Sequence, residues 1–384
     1  MAVADYTGGA VTIFYVDGEN GNDANSDVQA QTFATAWKTL QHAFDRVASA
    51  TGGTPGDGDE IRVAITSDDS THYAIAAKNT ITWSGKEVMF IGCNASGTVD
   101  GTRPTIYGTS LNGTTPMFEV SVATADHAHF VHFIFDANDV AQHTFEVTTA
   151  NSHQMQFVDC QFKQATGNGV EFNGVANQWS FLSCQFDNNG AIGCNQDGIG
   201  NSMYYNCLFN DNVGDGCFNG TNVKMSNCVS YSNGGDGFGC SNAGALYVNC
   251  VSDANTSDGW AITGTTGQGM LVNCVATNNG AYGIVLASGG TTRLYNFHTY
   301  NNTSGAKSVG GTDELSIFEH YTSVVNPTWE DAANFDFTPN GDSLMVGGGI
   351  AMPLQYFGSS TTDAGIGMFR TSPYQIQHHL PTRH

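Results

Sequence analysis

Cations are scarce in this chain: 12 Lys and Arg stand against 35 Asp and Glu, for a formal charge of −23. That acid excess disfavours nucleic acid or an anionic membrane as a partner. It also disfavours an unassisted site for polyanionic sugars, unless a bound cation inverts the local field. No apolar run approaches the roughly 18 residues that a spanning helix requires. The opening Met1-Ala2-Val3-Ala4-Asp5-Tyr6 has neither a basic stretch nor an apolar one, so no secretory signal is visible. Charged residues of both signs reach only 12 %, a composition that reads as disordered unless its apolar residues are periodic. Here they are.

Cys160, Cys184, Cys207, Cys228, Cys250, Cys274 and Phe297 follow one another at spacings of 24, 23, 21, 22, 24 and 23. Five residues beyond the last six stand Asn189, Asn212, Asn233, Asn255, Asn279 and Asn302. A period of about 20 to 50 residues signals a stack in which each repeat is one coil. Identical side chains then lie above one another, about 4.8 Å apart. With 47 glycines and frequent Asn, Thr and Ser, the chain reads as an all-β solenoid of short strands and turns, a single elongated body. The ten cysteines admit two states. Small buried thiols filling a slot are favoured, and disulfides between neighbouring coils are the alternative.

Three residues before each ladder position come Phe157, Phe181, Tyr204, Met225, Tyr247, Leu271 and Leu294, and two after come Phe162, Phe186, Phe209, Ser230, Ser252 and Ala276. If both sets face inward, strict alternation is broken, which places a bend at Asn206, Asn227, Asn249 and Asn273, since Asn tolerates the left-handed region. The later Asn column is expected to bond its amides to the coils above and below. Ahead of the coils, residues 11–17 form an apolar strand. Ala36 to Ala50 then reads as an amphipathic helix with Trp37, Leu40, Phe44 and Val47 on one stripe, Thr35 as N-cap and Gly52-Gly53 as the stop. Such a helix covers the apolar end of a stack. The organisation is thus 1–60, strand, loop and capping helix; 61–310, coils; 311–384, a closing or attachment segment.

These motifs resemble the right-handed parallel β-helix superfamily, in its pectate-lyase-like and phage-tailspike-like branches. Tyr-Val-Asp-Gly-Glu-Asn-Gly-Asn-Asp at 15–23, Ala-Trp-Lys-Thr-Leu-Gln-His-Ala at 36–43 and Gly-Asp-Gly-Asp-Glu-Ile-Arg-Val at 56–63 are similar to its N-terminal cap. Asn-Asn-Gly-Ala-Tyr-Gly-Ile-Val at 278–285 resembles a coil, and Asn-Phe-Asp-Phe-Thr-Pro at 334–339 with Thr-Asp-Ala-Gly-Ile-Gly-Met-Phe at 362–369 resembles a closing segment. The resemblance implies a right-handed parallel β-helix with an N-terminal capping helix. It implies no single activity, since the group spans lyases, hydrolases, epimerases, tailspikes and inert virion parts.

Candidate chemistry is sparse. Asp215, Asp236 and Asp258 each precede a Gly, so three carboxylates share one edge at coil spacing. Such a column suits a retaining glycosidase or a Ca²⁺ site, or simply the turn that every coil makes. Phe218, Phe238, Trp260 and Tyr282 accompany the Gly turns and fit either a sugar-stacking stripe or a core column. Asp23, Asn25 and Asp27 alternate like the start of a calcium loop, but the downstream bidentate Glu is missing. His127, His129 and His132 have strand-like spacing with no Cys or carboxylate nearby in sequence, a poor metal set. The terminal His378 and His379 add nothing to it.

Lyases of the resembled group need a cationic base and a metal or arginine to neutralise the uronate. Between Phe157 and Tyr300 the cations are Lys163, Lys224 and Arg293, too dispersed to act together. The Asp-Asp and Gly-His-Gly signatures of the pectin-hydrolysing branch are absent. The sequence therefore leans away from an enzyme. The expected protein is a non-catalytic virion component of a tailed bacteriophage, a capsid-decoration or tailspike-like spike outside the cell. It is expected to be a homotrimer that contacts phage capsid or tail proteins and holds a host surface glycan. No cofactor is implied beyond Ca²⁺. The cap motif begins near residue 13, so attachment falls to the first dozen residues or to 312–384, where Tyr356, Phe357, Met368 and Phe369 follow Asn326-Pro327. The alternative is a polysaccharide lyase or glycoside hydrolase using Asp215, Asp236 and Asp258.

Overall fold

Two columns of left-handed residues turn this chain into coils. In the first, Asn206, Asn227, Asn249, Asn273 and Asn296 hold φ between 52 and 54°, one residue before each ladder position. His132, Asp159 and Ser183 carry the column toward the N-terminus. This is the bend the sequence requires, and Asn pays little for it. In the second column, Gln164, Asn188, Asp211, Ser232, Ala254, Asn278 and Asn301 hold φ between 53 and 58°. Each coil thus has two corners set by single residues.

The computed structural model describes residues 11–49, 54–83, 86–121, 128–148, 152–153, 155–173, 176–177, 179–197, 201–241, 244–264, 268–286, 291–310, 317–319, 329–331 and 336–339. One coil reads Ser180–Leu182, Gln185–Asp187 and Cys194–Gln196, and the next reads Met203–Tyr205, Leu208–Asn210 and Cys217–Asn219. Each strand pairs in parallel with its counterpart one coil on. Among the described residues, the first two strands of every coil build a 20-stranded sheet, here sheet A, and the third builds a 10-stranded sheet, sheet B. The coils begin at Glu60–Ala64, and Ile13–Val16 pairs with that strand from the N-terminal side.

Side chains of like shape stack inside. Phe157, Phe181 and Tyr204 lie with ring centroids 5.2 and 5.0 Å apart, and Phe162, Phe186 and Phe209 with 5.0 and 4.8 Å. All ten cysteines are free and buried, so the slot-filling state is the one adopted. The ladder thiols reach down one coil: Cys184 donates to the Phe157 carbonyl at 3.4 Å and Cys207 to the Phe181 carbonyl at 3.3 Å. Burial pushes the Cys184, Cys228 and Cys274 thiols far above their ordinary range, which keeps them protonated.

Bore volume is shared between the walls. Where the column after the ladder shrinks from Phe209 to Ser230 and Ser252, sheet B answers with Phe238 and Trp260, both fully buried. Their rings stack at 5.3 Å. Close packing demands this exchange, because a void would forfeit contacts on every side.

The capping helix runs Leu40–Ala48, shorter than the Ala36–Ala50 of the sequence reading. Its N-cap is Thr39, whose hydroxyl accepts the His42 N–H at 3.2 Å, and not Thr35, which ends a 3-10 turn at Phe33–Thr35. Trp37 is buried as expected but sits before the helix, in a parallel bridge to Val16. Phe44 meets Phe90 at 5.1 Å and Trp83 at 5.5 Å, so the helix does close the first coil. Beyond the coils, Trp329–Asp331 pairs antiparallel with Asp336–Pro339, and Phe337 packs on Tyr231 at 5.5 Å. Gly52, Gly53, His127, residues 1–10, Asn326, Pro327, 340–384 and the motif at 362–369 lie outside the described residues.

The later asparagines form a continuous buried ladder. Asn189, Asn212, Asn233, Asn255, Asn279 and Asn302 each donate to, or accept from, the next at 2.8 to 3.1 Å. Each Oδ1 also accepts the backbone N–H of the preceding rung, as Asn233 does from Asn212 at 3.1 Å. Each Nδ2 caps a carbonyl of the coil before, as Asn233 does at Phe209 with 3.1 Å. The ladder thereby pairs corner N–H and carbonyl groups that would otherwise be buried alone. Replacing Asn233 by Ala strands several buried partners at once and is expected to cost about 2–3 kcal/mol. Asn302→Ala, at the half-buried end of the ladder, is expected to cost about 1 kcal/mol or less. Denaturant midpoints of the two variants check this ordering.

Candidate functional site

Sheet B turns the middle residue of each strand outward, because its neighbours on both sides enter the bore. In register, coil by coil, that outward row reads Glu119, Glu146, Glu171, Asn195, Phe218, Gly239 and Ala261. Three stacked carboxylates therefore precede an amide, an aromatic ring and two small residues on one wall. The sequence reading did not find this row. Its signal was present in the tripeptide Phe-Glu-Val, which occurs at 118–120 and again at 145–147.

Donors hold the row in place. Asn173 donates to Glu146 at 2.7 Å and Asn195 to Glu171 at 3.0 Å, while Asn168 also donates to Glu171 and Lys78 pairs with Glu119. His143 lies beneath, only 5 % exposed, with the Asn168 N–H donating to its Nδ1 at 3.1 Å. Burial pushes the imidazole pKa down, against the opposing pull of the Glu171 and Glu146 charges, so it stays neutral at pH 7. The Asn195 Oδ1 is buried without a hydrogen-bond partner among the described residues. Phe218 lies across Gly239: a Cβ there would stand 2.5 Å from the ring, so a larger residue would have to displace the phenyl group.

The sequence candidates divide. Asp215, Asp236 and Asp258 do stack, but as turn acceptors. Asp215 takes the Asp236 N–H at 2.7 Å, Asp236 the Asp258 N–H at 2.9 Å and Asp258 the Tyr282 N–H at 2.7 Å. Of the aromatic stripe, only Phe218 faces out from a strand. Phe238 and Trp260 are bore residues, which removes them as carbohydrate contacts, and half-buried Tyr282 pairs with Gly305 at the strand start. Asp215 stays near Phe218, its Oδ2 3.4 Å from where a Gly239 Cβ would stand.

The calcium-loop candidates are occupied by the protein itself. Asp23 accepts the Lys38 and Thr39 N–H groups at 2.7 and 3.0 Å, and Asn25 donates to the Thr35 and Ala36 carbonyls at 3.0 Å. Asp27 pairs with Arg46, its Oδ1 2.7 Å from Nε. Asp23 and Asn25 thus clip the entry loop to the segment that leads into the helix, and Asp27 clips it to the helix's last turn. Among the described residues, no group of three or more His, Cys, Asp or Glu converges on a metal position. His129 and His132 have carboxylate neighbours after all, brought from other coils: Glu87 at 3.1 Å and Asp159 at 2.8 Å. Lys163 pairs with Asp136 at 3.0 Å, while Lys224 and Arg293 are exposed.

The turn aspartates make pH a probe. Burial, helped by the Asp236 charge, raises the Asp215 carboxyl above its ordinary 3.8. A raised carboxyl pKa means that ionisation disfavours the fold, so this contribution is whole below pH 3.8 and fades as pH rises through the folded value. Asp215→Asn keeps the oxygen that accepts the Asp236 N–H and removes the buried charge. The variant is expected to gain on the parent in melting temperature between pH 4 and 7, and thermal melts across that range test it.

Comparison with known proteins places the coils. Residues 147–304 match the family described as "Right handed beta helix region". The pectate lyase Pel9A superposes with a TM-score of 0.67 at 15 % identity, over 93 % of this chain and 96 % of its own. A rhamnogalacturonan lyase gives 0.55 at 15 % identity, over 86 % and 94 %. ORF18 of Geobacillus virus E2 gives 0.41 at 16 % identity, over 81 % and 60 %, a likeness too loose to argue from. No curated protein matches significantly. At such identities the likeness is one of fold alone. Stacked register, left-handed corners and the family match over 147–304 agree: the chain folds as a right-handed parallel β-helix.

Proposed function

We propose that this β-helix is a non-catalytic virion spike that grips a host surface glycan along the outer wall of sheet B. The row Glu119, Glu146, Glu171, Asn195 and Phe218 carries the reading, since it sets hydrogen-bonding groups beside a half-buried aromatic ring at coil spacing. Sugars need both: hydroxyls bond to carboxylates and amides, and their C–H faces pack on rings. A wall this acidic favours a neutral or cationic glycan over a polyuronate. A rod locked by buried ladders suits a particle surface, where the chain would act as a homotrimer seated on capsid or tail proteins.

The stacked glutamates favour one other reading, a glycoside hydrolase with Glu146 and Glu171 as its pair. Neighbouring strands stand about 4.8 Å apart, close to the roughly 5–5.5 Å between carboxyls in retaining enzymes. The turn aspartates each give one oxygen, Oδ1, to a backbone N–H of the next coil, which ties them to the turn.

A single experiment separates the readings. The chain is offered a panel of bacterial surface glycans while binding and new reducing ends are both followed. Binding without cleavage, weakened about five- to tenfold by Phe218→Ala, is the expected result. Release of reducing ends that Glu171→Gln abolishes would instead establish the hydrolase. Failure to bind any glycan would remove both.

A further inference from the structure

We infer that the cavity between the capping helix and the first coil is a second carbohydrate site, one that takes a single neutral pyranose ring. It goes beyond the wall of sheet B, because none of its lining residues belongs to the outward row. The half-open cavity holds about 250 Å³. Drug-sized ligands occupy about 300–1,000 Å³, so this one suits one ring and not an oligosaccharide.

Its lining has the two faces that a pyranose has. Leu40, Tyr73, Ile75 and Ile106, all buried, make an apolar floor. His72 and Asn79 stand at the rim, half-buried, and neither side chain makes a hydrogen bond to the described residues. The other polar rim residues are already committed. Gln41 donates to Asp45 at 2.7 Å and accepts the Thr80 N–H at 2.8 Å; Thr39 donates to Asp23 at 2.8 Å and accepts from His42. What remains is an imidazole and a carboxamide, each able to donate and to accept, above an apolar surface. A sugar edge of hydroxyls offers the same dual capacity, and its C–H face matches the floor. No Lys or Arg lines the cavity, so a carboxylate or phosphate would find no fixed cation there.

The test uses the whole chain with methyl glycosides of glucose, galactose, mannose and rhamnose, and with N-acetylglucosamine. Saturation-transfer NMR finds the binders and calorimetry measures them. At least one is expected to bind in the millimolar range, as befits a single ring with few hydrogen bonds. Ala76→Trp, which fills the mouth, is expected to abolish the signal, and His72→Ala to weaken it about five- to tenfold. The measurements are repeated in Phe218→Ala, where the wall is disarmed and the cavity's own signal is expected to persist. Circular dichroism checks that each variant folds, and if the tryptophan variant does not, Asn79→Leu combined with His72→Ala takes its place. No binding by any sugar, or undiminished binding in the filled or stripped cavity, overturns the proposal. Loss of binding in Phe218→Ala overturns it too, by returning the sugar to the wall.

Discussion

Parallel stacking in register is the constraint on which everything else in this molecule depends. Once one coil lies on another about 4.8 Å away, each side chain must satisfy the residue above and the residue below. Asn meets that demand with one acceptor and one donor pointing along the stack, and the run from Asn189 to Asn302 uses both on every rung. A hydrophobic residue in that column would leave corner N–H and carbonyl groups buried and unpaired. The left-handed corners, the thiol slot and the stacked rings are other answers to the same demand. So is the row of glutamates on the outer side of sheet B, where Glu119 and Glu146 are half-buried and Glu171 is buried.

The bore shows how the constraint is relaxed without loss of packing. No column keeps one residue type from end to end. The aromatic column stops at Phe209, and the opposite wall supplies Phe238 and Trp260 at those levels. Ser230 and Ser252 then use the space beside them for hydrogen bonds to the Asn ladder, at 2.9 Å each. Volume is conserved level by level, and polarity is placed where the ladder can meet it.

What the sequence showed followed from identity, and what it hid followed from phase. The Cys and Asn columns repeat one residue type, so the corners, the ladder and the helical cap were all readable from spacing. The aromatic set stayed open between a stripe and a core column because its members differ in phase: Phe238 and Trp260 directly follow a glycine, Phe218 comes one residue later, and Tyr282 comes before its glycine. A one-residue slip on a strand moves a side chain to the other face. The glutamate row escaped because it begins in coils ahead of Cys160 and changes identity after three members. Partners such as Glu87 for His129 lie a coil away, beyond any local window. The clip made by Asp23, Asn25 and Asp27 looked like a metal loop because both use the same oxygen-rich spacing; only the donors across the loop tell them apart.

The choice between holding a glycan and cutting it turns on what the glutamates face. A general acid must present an O–H to the leaving oxygen, so at least one carboxyl needs neighbours that suit its neutral form. Here Glu146 meets an asparagine amide, Glu171 meets two, and Glu119 meets the Lys78 ammonium. All of these are donors, and a donor suits an ionised carboxylate. His143 could pass a proton, but its Nδ1 is engaged at the Asn168 backbone and the ring is almost wholly buried. Carboxylates held ionised by donors can still accept from hydroxyl or ammonium groups, and this supports the proposal of binding over that of hydrolysis.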